Sequence, residues 1–200
     1  MGEIGIGRGR TLKAGDIDID FANRDIPLSF LKHHQAGIIK DGKLARHPSG
    51  IYVTDIPTDP IKKLASLDFR IAEERGYHKL DFLNVSLYEQ VKSEEHLIEL
   101  MKEPAWENLY DAEFCQRLIH IGNHYDTLIK FPEAVTSIEK MAMLLAAIRP
   151  AKRHLIGLPW DDVRRDIWEP DPSGLFQFKK AHSFSYAQLV VVNMNLLSSD

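Results

Sequence analysis

Acidic and apolar side chains alternate strictly in residues 16–21. The acids are Asp16, Asp18 and Asp20, and the apolar residues are Ile17, Ile19 and Phe21. Successive side chains of a β-strand point to opposite faces, so the alternation predicts a strand with one acidic and one core-facing side. Three carboxylates on one face repel one another, and a divalent cation held by oxygen ligands is the usual relief. The stretch therefore predicts a metal site, with the solvated face of an edge strand as the alternative.

A second alternating stretch covers residues 77–83. Lys79 and Asp81 fall on one face of this predicted strand, and Leu80 and Phe82 fall on the other. If the two strands are neighbours, Asp81 joins the acids of residues 16–21 in one site. The pattern by itself leaves that adjacency open.

The remaining patterns predict a mixed first part and a helical second part. Between the two acidic strands they indicate a helix from Asp25 to about residue 34, a hairpin turning at residues 40–43 between strands at 36–39 and 50–54, and a helix at about 61–75. Later helices are predicted at about 86–92, 94–102, 112–120, 133–148, 160–168 and 182–197. We expect an α+β region at 1–92 and a helical region at 93–200.

Composition narrows the functional classes. The chain has 200 residues, a net charge of −4 and one cysteine, Cys115. No internal disulfide can form, which favours a reducing, cytoplasmic location, and no apolar run approaches the roughly 20 residues of a membrane span. The acidic balance argues mildly against a protein dominated by nucleic-acid contacts. Basic clusters, each either a local phosphate site or a solvated face, lie at Arg8, Arg10 and Lys13, at Arg149, Lys152 and Arg153, and at Lys179 and Lys180.

Two other metal patterns fail at individual positions. A calcium-binding EF-hand loop starting at Asp16 would need glycine and glutamate where the chain has Phe21 and Pro27. His120 and His124 are spaced as in zinc peptidases, but the required glutamate is replaced by isoleucine. We expect these histidines to be surface or core residues and Cys115 to lie in the core.

Four stretches occur together in one order. They are Asp-Ile-Asp-Ile-Asp-Phe at 16–21, His-Pro-Ser-Gly-Ile-Tyr-Val at 47–53, Lys-Leu-Asp-Phe-Leu-Asn-Val at 79–85 and Phe-Lys-Lys-Ala-His-Ser-Phe-Ser-Tyr-Ala at 178–187, with a weaker fifth at 147–150. In these stretches the chain resembles the catalytic core of the C-family replicative DNA polymerases, the alpha subunits of bacterial DNA polymerase III. Gly15 and Asn84 depart from the family motifs, and the interval between residues 21 and 47 is too short for the family's thumb. We therefore expect a strongly reduced palm and fingers, such as a phage would encode.

The resemblance implies a fold, a reaction and a set of site residues. Residues 1–92 would form a nucleotidyltransferase-type palm, and residues 93–200 a fingers-like region. Asp16, Asp18 and Asp81 would be the catalytic acids and bind two magnesium ions, with manganese as the alternative. The implied nucleotide-binding residues are Lys79, Arg149, Lys180, His182 and Tyr186. His47 and Gly50 would be scaffold, and the role of Asp20 stays open.

The implied reaction is template-directed DNA synthesis. Its partners would be primer–template DNA, deoxynucleoside triphosphates and replication proteins that supply processivity, in the host cytoplasm if the gene is viral and with no membrane involved. Two alternatives remain at this stage. One is a non-catalytic replication accessory protein with a palm-like fold, and the other is a template-independent nucleotidyltransferase.

Overall fold

The computed structural model describes residues 17–199 and divides the chain into two compact units, Met1–Glu89 and Gln90–Asp200. The first contains a mixed sheet with short helices and the second is helical, which confirms the predicted α+β class. The sequence placed the boundary after residue 92. No helix among residues 17–199 combines the length and the apolar character needed to cross a bilayer.

The first unit is built on one five-stranded sheet. Its elements are β1 (Ile17–Phe21), α1 (Asp25–Phe30), β2 (His34–Lys40), β3 (Lys43–Tyr52), β4 (Leu64–Asp68), α2 (Phe69–Glu74) and β5 (Leu80–Asn84), followed by a 3-10 helix at Ser86–Gln90. The strand order is β1-β5-β3-β2-β4. The outer pairs β1–β5 and β2–β4 are parallel, and the inner pairs are antiparallel.

The predicted hairpin turn is confirmed, although the returning strand runs over Lys43–Tyr52 rather than over residues 50–54. Lys40 pairs with Lys43 across a two-residue turn whose residues, Asp41 and Gly42, both have positive φ, 50° and 71°. An Asp-Gly pair suits this turn because glycine has no Cβ penalty there and aspartate tolerates the left-handed region.

The predicted helix at 61–75 is wrong in its first half. Leu64–Asp68 is a strand that pairs in parallel with β2, and only Phe69–Glu74 is helical. Leu64 and Ala65 are buried in this strand, and their spacing had fitted a helix equally well. The helix begins at Asp68, whose carboxylate accepts a hydrogen bond from the Arg70 N–H at 3.0 Å.

An enlarged bulge interrupts β3. Gln35 pairs with Ile51 whereas Gly37 pairs with Arg46, so residues 47–50 lie opposite a single residue of β2. The Gln35 amide donates to the carbonyls of His47 (3.0 Å) and Gly50 (2.7 Å) and so holds both ends of the bulge. Bulges of this kind re-aim side chains and are frequent beside active sites.

The second unit surrounds one central helix. Its helices are α3 (Glu94–Leu100), α4 (Ala112–Gln116), α5 (Tyr125–Leu128), α6 (Ile138–Ala147), α7 (Trp160–Asp166) and α8 (Lys180–Ser198), with 3-10 helices at Trp106–Tyr110 and Pro150–Leu155. Every residue from 141 to 147 in α6 is buried, and α6 packs against α8. A helix that is apolar on all sides belongs at the centre of a core.

Helix boundaries in this unit differ from the sequence-based ones. The helix predicted at 133–148 begins only at Ile138, because Ser137 caps it by accepting a hydrogen bond from the Lys140 N–H. The helix predicted at 112–120 ends at Gln116. Cys115 lies in the core as predicted, and burial raises the pKa of its thiol to about 11.

Candidate functional site

Asp18 and Asp81 are direct neighbours in the parallel ladder of β1 and β5. Side chains in register on adjacent strands share one face, and the strands are about 4.8 Å apart. The structure thus supplies the strand adjacency that the sequence left open. Asp16, the third predicted acid, lies outside the described residues.

The Asp81 side chain is buried, and both of its carboxylate oxygens have a partner. The residue is 8% exposed. Its Oδ1 accepts a hydrogen bond from Ser49 Oγ at 2.6 Å, and its Oδ2 forms an ion pair with the Lys79 ammonium. Charge-assisted hydrogen bonds of this type are about twice as strong as neutral ones, and they offset the loss of water around the carboxylate.

His47 is held as a neutral ring. Its Nδ1 accepts a hydrogen bond from the Gly50 N–H at 2.8 Å, so the proton of the imidazole resides on Nε2. Burial lowers the pKa of His47, and the nearby Lys79 ammonium lowers that pKa further. Because the ring is neutral, the 3.7 Å approach of Nδ1 to Asp81 Oδ1 is not an ion pair.

Gly50 makes this packing feasible. A Cβ built on Gly50 would lie 2.7 Å from Lys79 Cδ and 2.8 Å from His47 Nδ1, distances at which real Cβ atoms are essentially never found. His47 also packs edge-on against Phe69, with ring centroids 5.0 Å apart, and Lys79 Nζ lies 5.5 Å from the centre of the same ring. His47 and Gly50 therefore support the lysine and the acid sterically.

The bulge is tied to β5 from the other side. Arg24 Nη1 donates to the carbonyls of Pro48 at 2.6 Å and Phe82 at 3.0 Å. The backbone N–H of Arg24 donates to Asn84 Oδ1 at 2.8 Å. One arginine thus holds the bulge that carries Ser49 against the strand that carries Asp81.

The Asp20 carboxyl in β1 is electrostatically perturbed. Partial loss of water around the carboxyl raises the pKa of Asp20, and the Asp18 carboxylate raises that pKa further. Burial raises the pKa of Tyr88, and the charge of Asp20 raises that pKa further. The alternation of β1 places Asp20 on the face of Asp18.

The described residues contribute two of the three predicted metal ligands. Among residues 17–199 no group of three or more histidine, cysteine, aspartate or glutamate side chains is placed to hold a metal ion. The Asp18–Asp81 pair nevertheless has the ligand chemistry that magnesium requires, since carboxylate oxygens are its preferred protein ligands. A cation bound at Asp81 would compete with the Lys79 ammonium for Oδ2.

The predicted nucleotide-binding residues other than Lys79 belong to the second unit. Lys180 and His182 lie in the first turn of α8, and Tyr186 follows one turn later. The Arg149 guanidinium lies 3.9 Å above the Phe178 ring, which is 5.4 Å from the Tyr186 ring. His182 and Tyr186 have ring centroids 6.4 Å apart. The structure therefore groups Arg149, His182 and Tyr186, whereas Lys180 lies over Phe184.

Two residues in these surroundings were missed from the sequence as site candidates. Ser49 lies inside the 47–53 stretch, but only the bulge shows that its hydroxyl reaches Asp81. His120, expected to be a surface or core residue, has its ring 4.5 Å from that of Tyr186. No spacing rule connects residues so far apart in the chain.

No family model, curated protein or solved structure matched the chain. The resemblance to the C-family polymerases stays a prediction, and the function is inferred from the geometry of the described residues.

Proposed function

We propose that the chain transfers nucleotidyl groups in the manner of a DNA-directed DNA polymerase, adding deoxynucleotides to a primer 3′ end. One observation carries the proposal: Asp18 and Asp81 lie in register on neighbouring parallel strands, with Lys79 bonded to Asp81. Two carboxylates beside a lysine match what phosphoryl transfer requires, namely cation ligands and a positive charge for the phosphates.

The acids and Lys79 have separate roles in this proposal. Asp18 and Asp81, together with Asp16, would hold two magnesium ions, with manganese as the alternative. Such ions activate an attacking hydroxyl and stabilise a leaving pyrophosphate. With a cation held at Asp81, the Lys79 ammonium would be released from its ion pair and could bind the triphosphate of the incoming nucleotide.

The bulge would position the carboxylate. Ser49 fixes one oxygen of Asp81, while Gln35 and Arg24 hold the backbone around Ser49. Ligands oriented by surrounding hydrogen bonds bind metals more tightly than freely rotating ones. Ser49, Gln35 and Arg24 are therefore positioning residues in this proposal.

The second unit would bind the nucleotide. Arg149, His182 and Tyr186 combine positive charge with aromatic faces, and Lys180 begins the helix that carries two of them. Primer–template DNA and deoxynucleoside triphosphates are the proposed partners, with other replication proteins supplying processivity. The host cytoplasm is the proposed location.

One observation favours the non-catalytic alternative, a replication accessory protein. Asp81 is fully compensated by Lys79 and Ser49 without any metal. The burial of this acid therefore has a structural explanation that does not require catalysis. Under this alternative the chain binds DNA or a polymerase but performs no synthesis.

Primer extension tests the proposal. The wild-type chain is incubated with a labelled primer–template, deoxynucleoside triphosphates and magnesium, beside the variants Asp18→Asn and Asp81→Asn. Each substitution is expected to reduce extension by about 100-fold or more, because each removes an anionic ligand of the cations that would stabilise the transition state. Asp41→Asn is the matched control, since Asp41 is an exposed acid of the hairpin turn in the same unit.

The outcomes separate the three candidates. No extension by the wild-type chain, alone or with added replication factors, would reject the polymerase. DNA binding without extension then favours the accessory protein. Homopolymer templates supplied with single nucleotides distinguish the transferase, because it incorporates nucleotides that the template does not encode.

A further inference from the structure

His120 and His124 belong to a compact turn that the proposed function leaves unused. The backbone of His120 is left-handed, with φ of 65°. Gly122 packs so closely on the Gln116 carbonyl that a Cβ would lie 2.6 Å from its oxygen. The two histidines therefore do not occupy successive turns of a helix.

This turn presents His120 to a basic and aromatic cluster within the second unit. The His120 ring contacts Tyr186, and Arg149 lies over Phe178 beside the same tyrosine. His120, His124 and Arg149 are each partly exposed and Arg153 is exposed, so the cluster lies at the surface of the unit.

The cluster lacks compensating negative charge among the described residues. The ion pairs formed by residues 17–199 do not include Arg149, and burial lowers the pKa of its guanidinium. Arg149 Nε and His120 Nε2 are both buried without a hydrogen-bond partner. Buried hydrogen-bonding groups without a partner are unfavourable, and an anion supplies acceptors for the N–H groups of an arginine or an imidazolium.

The charged groups facing the two histidines are mainly cationic. Burial lowers the pKa of His120, and Arg149 lowers that pKa further; Tyr186 is the other titratable group against its ring. Burial likewise lowers the pKa of His124, with Arg149 and Arg153 as additional causes. Without an anion, both imidazoles are neutral at neutral pH.

We propose that Arg149, Arg153, His120 and His124 form a binding site for a small phosphate-bearing anion, and that binding is coupled to proton uptake by the two histidines. A phosphate group supplies acceptors for the orphaned donors and negative charge for the arginines. Its charge favours the imidazolium forms of His120 and His124, so affinity increases as the pH falls toward and below about 6.5. The anion site stands without the proposed polymerase; only its identification with a nucleotide triphosphate rests on that function.

Calorimetric titration of the full chain with inorganic tripolyphosphate tests the site. Between pH 8 and pH 6 the affinity of the wild-type chain is expected to increase about tenfold more than that of His120→Asn or His124→Gln. Asparagine is chosen at position 120 because it tolerates a left-handed backbone and does not titrate. Tripolyphosphate also changes its protonation over this pH range, but that contribution is the same for the wild-type chain and the variants and so cancels in the comparison.

His154→Gln is the matched control, because His154 pairs with Asp166 in the same unit. Its pH dependence should equal that of the wild-type chain. Fluorescence of Trp106, Trp160 and Trp168, all in the second unit, verifies that each variant is folded. Repeating the titration in buffers of different ionisation enthalpy measures the protons taken up.

Three results would overturn the proposal. The first is no binding of tripolyphosphate at pH 6, the second is a pH dependence that is unchanged in both histidine variants, and the third concerns the size of the ligand. Parallel titrations with a deoxynucleoside triphosphate and a single-stranded oligonucleotide identify the source of the phosphate; tighter binding of the oligonucleotide would contradict a small-anion site. The readout is binding of tripolyphosphate and not DNA synthesis, so failure of the polymerase proposal leaves this test intact.

Discussion

Asp18 and Asp81 are paired in register, yet Asp18 is exposed and Asp81 is 8% exposed. The difference follows from the strand order, because β1 is an edge strand and β5 lies between β1 and β3. Asp81 pairs with Gly50 on its second side, where the bulge covers it. The two acids therefore differ in their surroundings, and the buried Asp81 is compensated by Lys79 and Ser49.

Lys79→Met is expected to destabilise the first unit by about 3–5 kcal/mol, because it leaves a buried carboxylate without its counter-charge. Urea unfolding followed by circular dichroism measures the loss. Tryptophan fluorescence reports on the second unit, which contains all three tryptophans, and verifies that this unit is still folded in the variant.

The double variant Lys79→Met with Asp81→Asn provides the control. Removing both charges should recover roughly half of the loss, because no unpaired charge then remains buried. A double variant as unstable as Lys79→Met alone would show that packing of the lysine, rather than its charge, stabilises the unit.

Ser49→Ala is expected to cost about 1.5–3 kcal/mol in the free energy of unfolding, the range for hydrogen bonds to charged groups. It should also weaken magnesium binding measured by calorimetry, since the Asp81 carboxylate loses the group that orients it. Ser66→Ala is the comparison, because Ser66 is an exposed serine on β4. Equal effects of the two substitutions would contradict a positioning role for Ser49.

Gly50→Ala is expected to destabilise the first unit by about 1–3 kcal/mol through overpacking. The added methyl group would collide with Lys79 and His47, which have little room to move in the buried site. Thermal unfolding by circular dichroism measures the change. Gly42→Asn should be nearly neutral, because no atom lies within 4 Å of a Cβ at that position and asparagine tolerates its φ of 71°. A fully stable Gly50→Ala protein would show that the bulge is looser than described.

The stability of the first unit should decrease as the pH falls below about 6.5. Burial lowers the pKa of His47 in the folded state, so the unfolded chain binds a proton at a higher pH than the folded chain does. Between the two pKa values, the free energy of unfolding therefore decreases by up to about 1.4 kcal/mol for each pH unit. His47→Asn should remove this part of the pH dependence of stability. The asparagine oxygen can still accept the hydrogen bond from the Gly50 N–H, but asparagine does not titrate.

Urea unfolding at pH 7.5, 6.5 and 5.5 measures this dependence. His78→Asn is the control, since His78 is exposed in the same unit. If His47→Asn retains the full pH dependence of the wild-type chain, His47 is not the neutral acceptor inferred here.

Local patterns in the sequence predicted the local structure well. The alternation in residues 17–21 gave β1, and the Asp41-Gly42 pair gave the hairpin turn. The apolar spacing near the end of the chain gave α8. In each case the information lies within a few residues, because side-chain period and backbone φ are local properties.

The spacing of apolar residues gave wrong predictions where tertiary contacts determine which of two local conformations forms. Residues 64–68 fitted a helix, but pairing with β2 made them a strand. The sequence predicted a strand only from residue 50, but β3 begins at Lys43 and the Gln35 and Arg24 hydrogen bonds hold residues 47–50 of it as a bulge. Such choices depend on partners far along the chain.

By itself, the sequence determined that acids line one face of β1 and that Lys79 accompanies Asp81 on another strand. Only the tertiary structure decided that these strands are neighbours in register, that Ser49 reaches Asp81, and that Arg149 and His120 share one aromatic cluster. The physical reason is that register and long-range packing are set by the joint burial of distant segments, which no local period encodes.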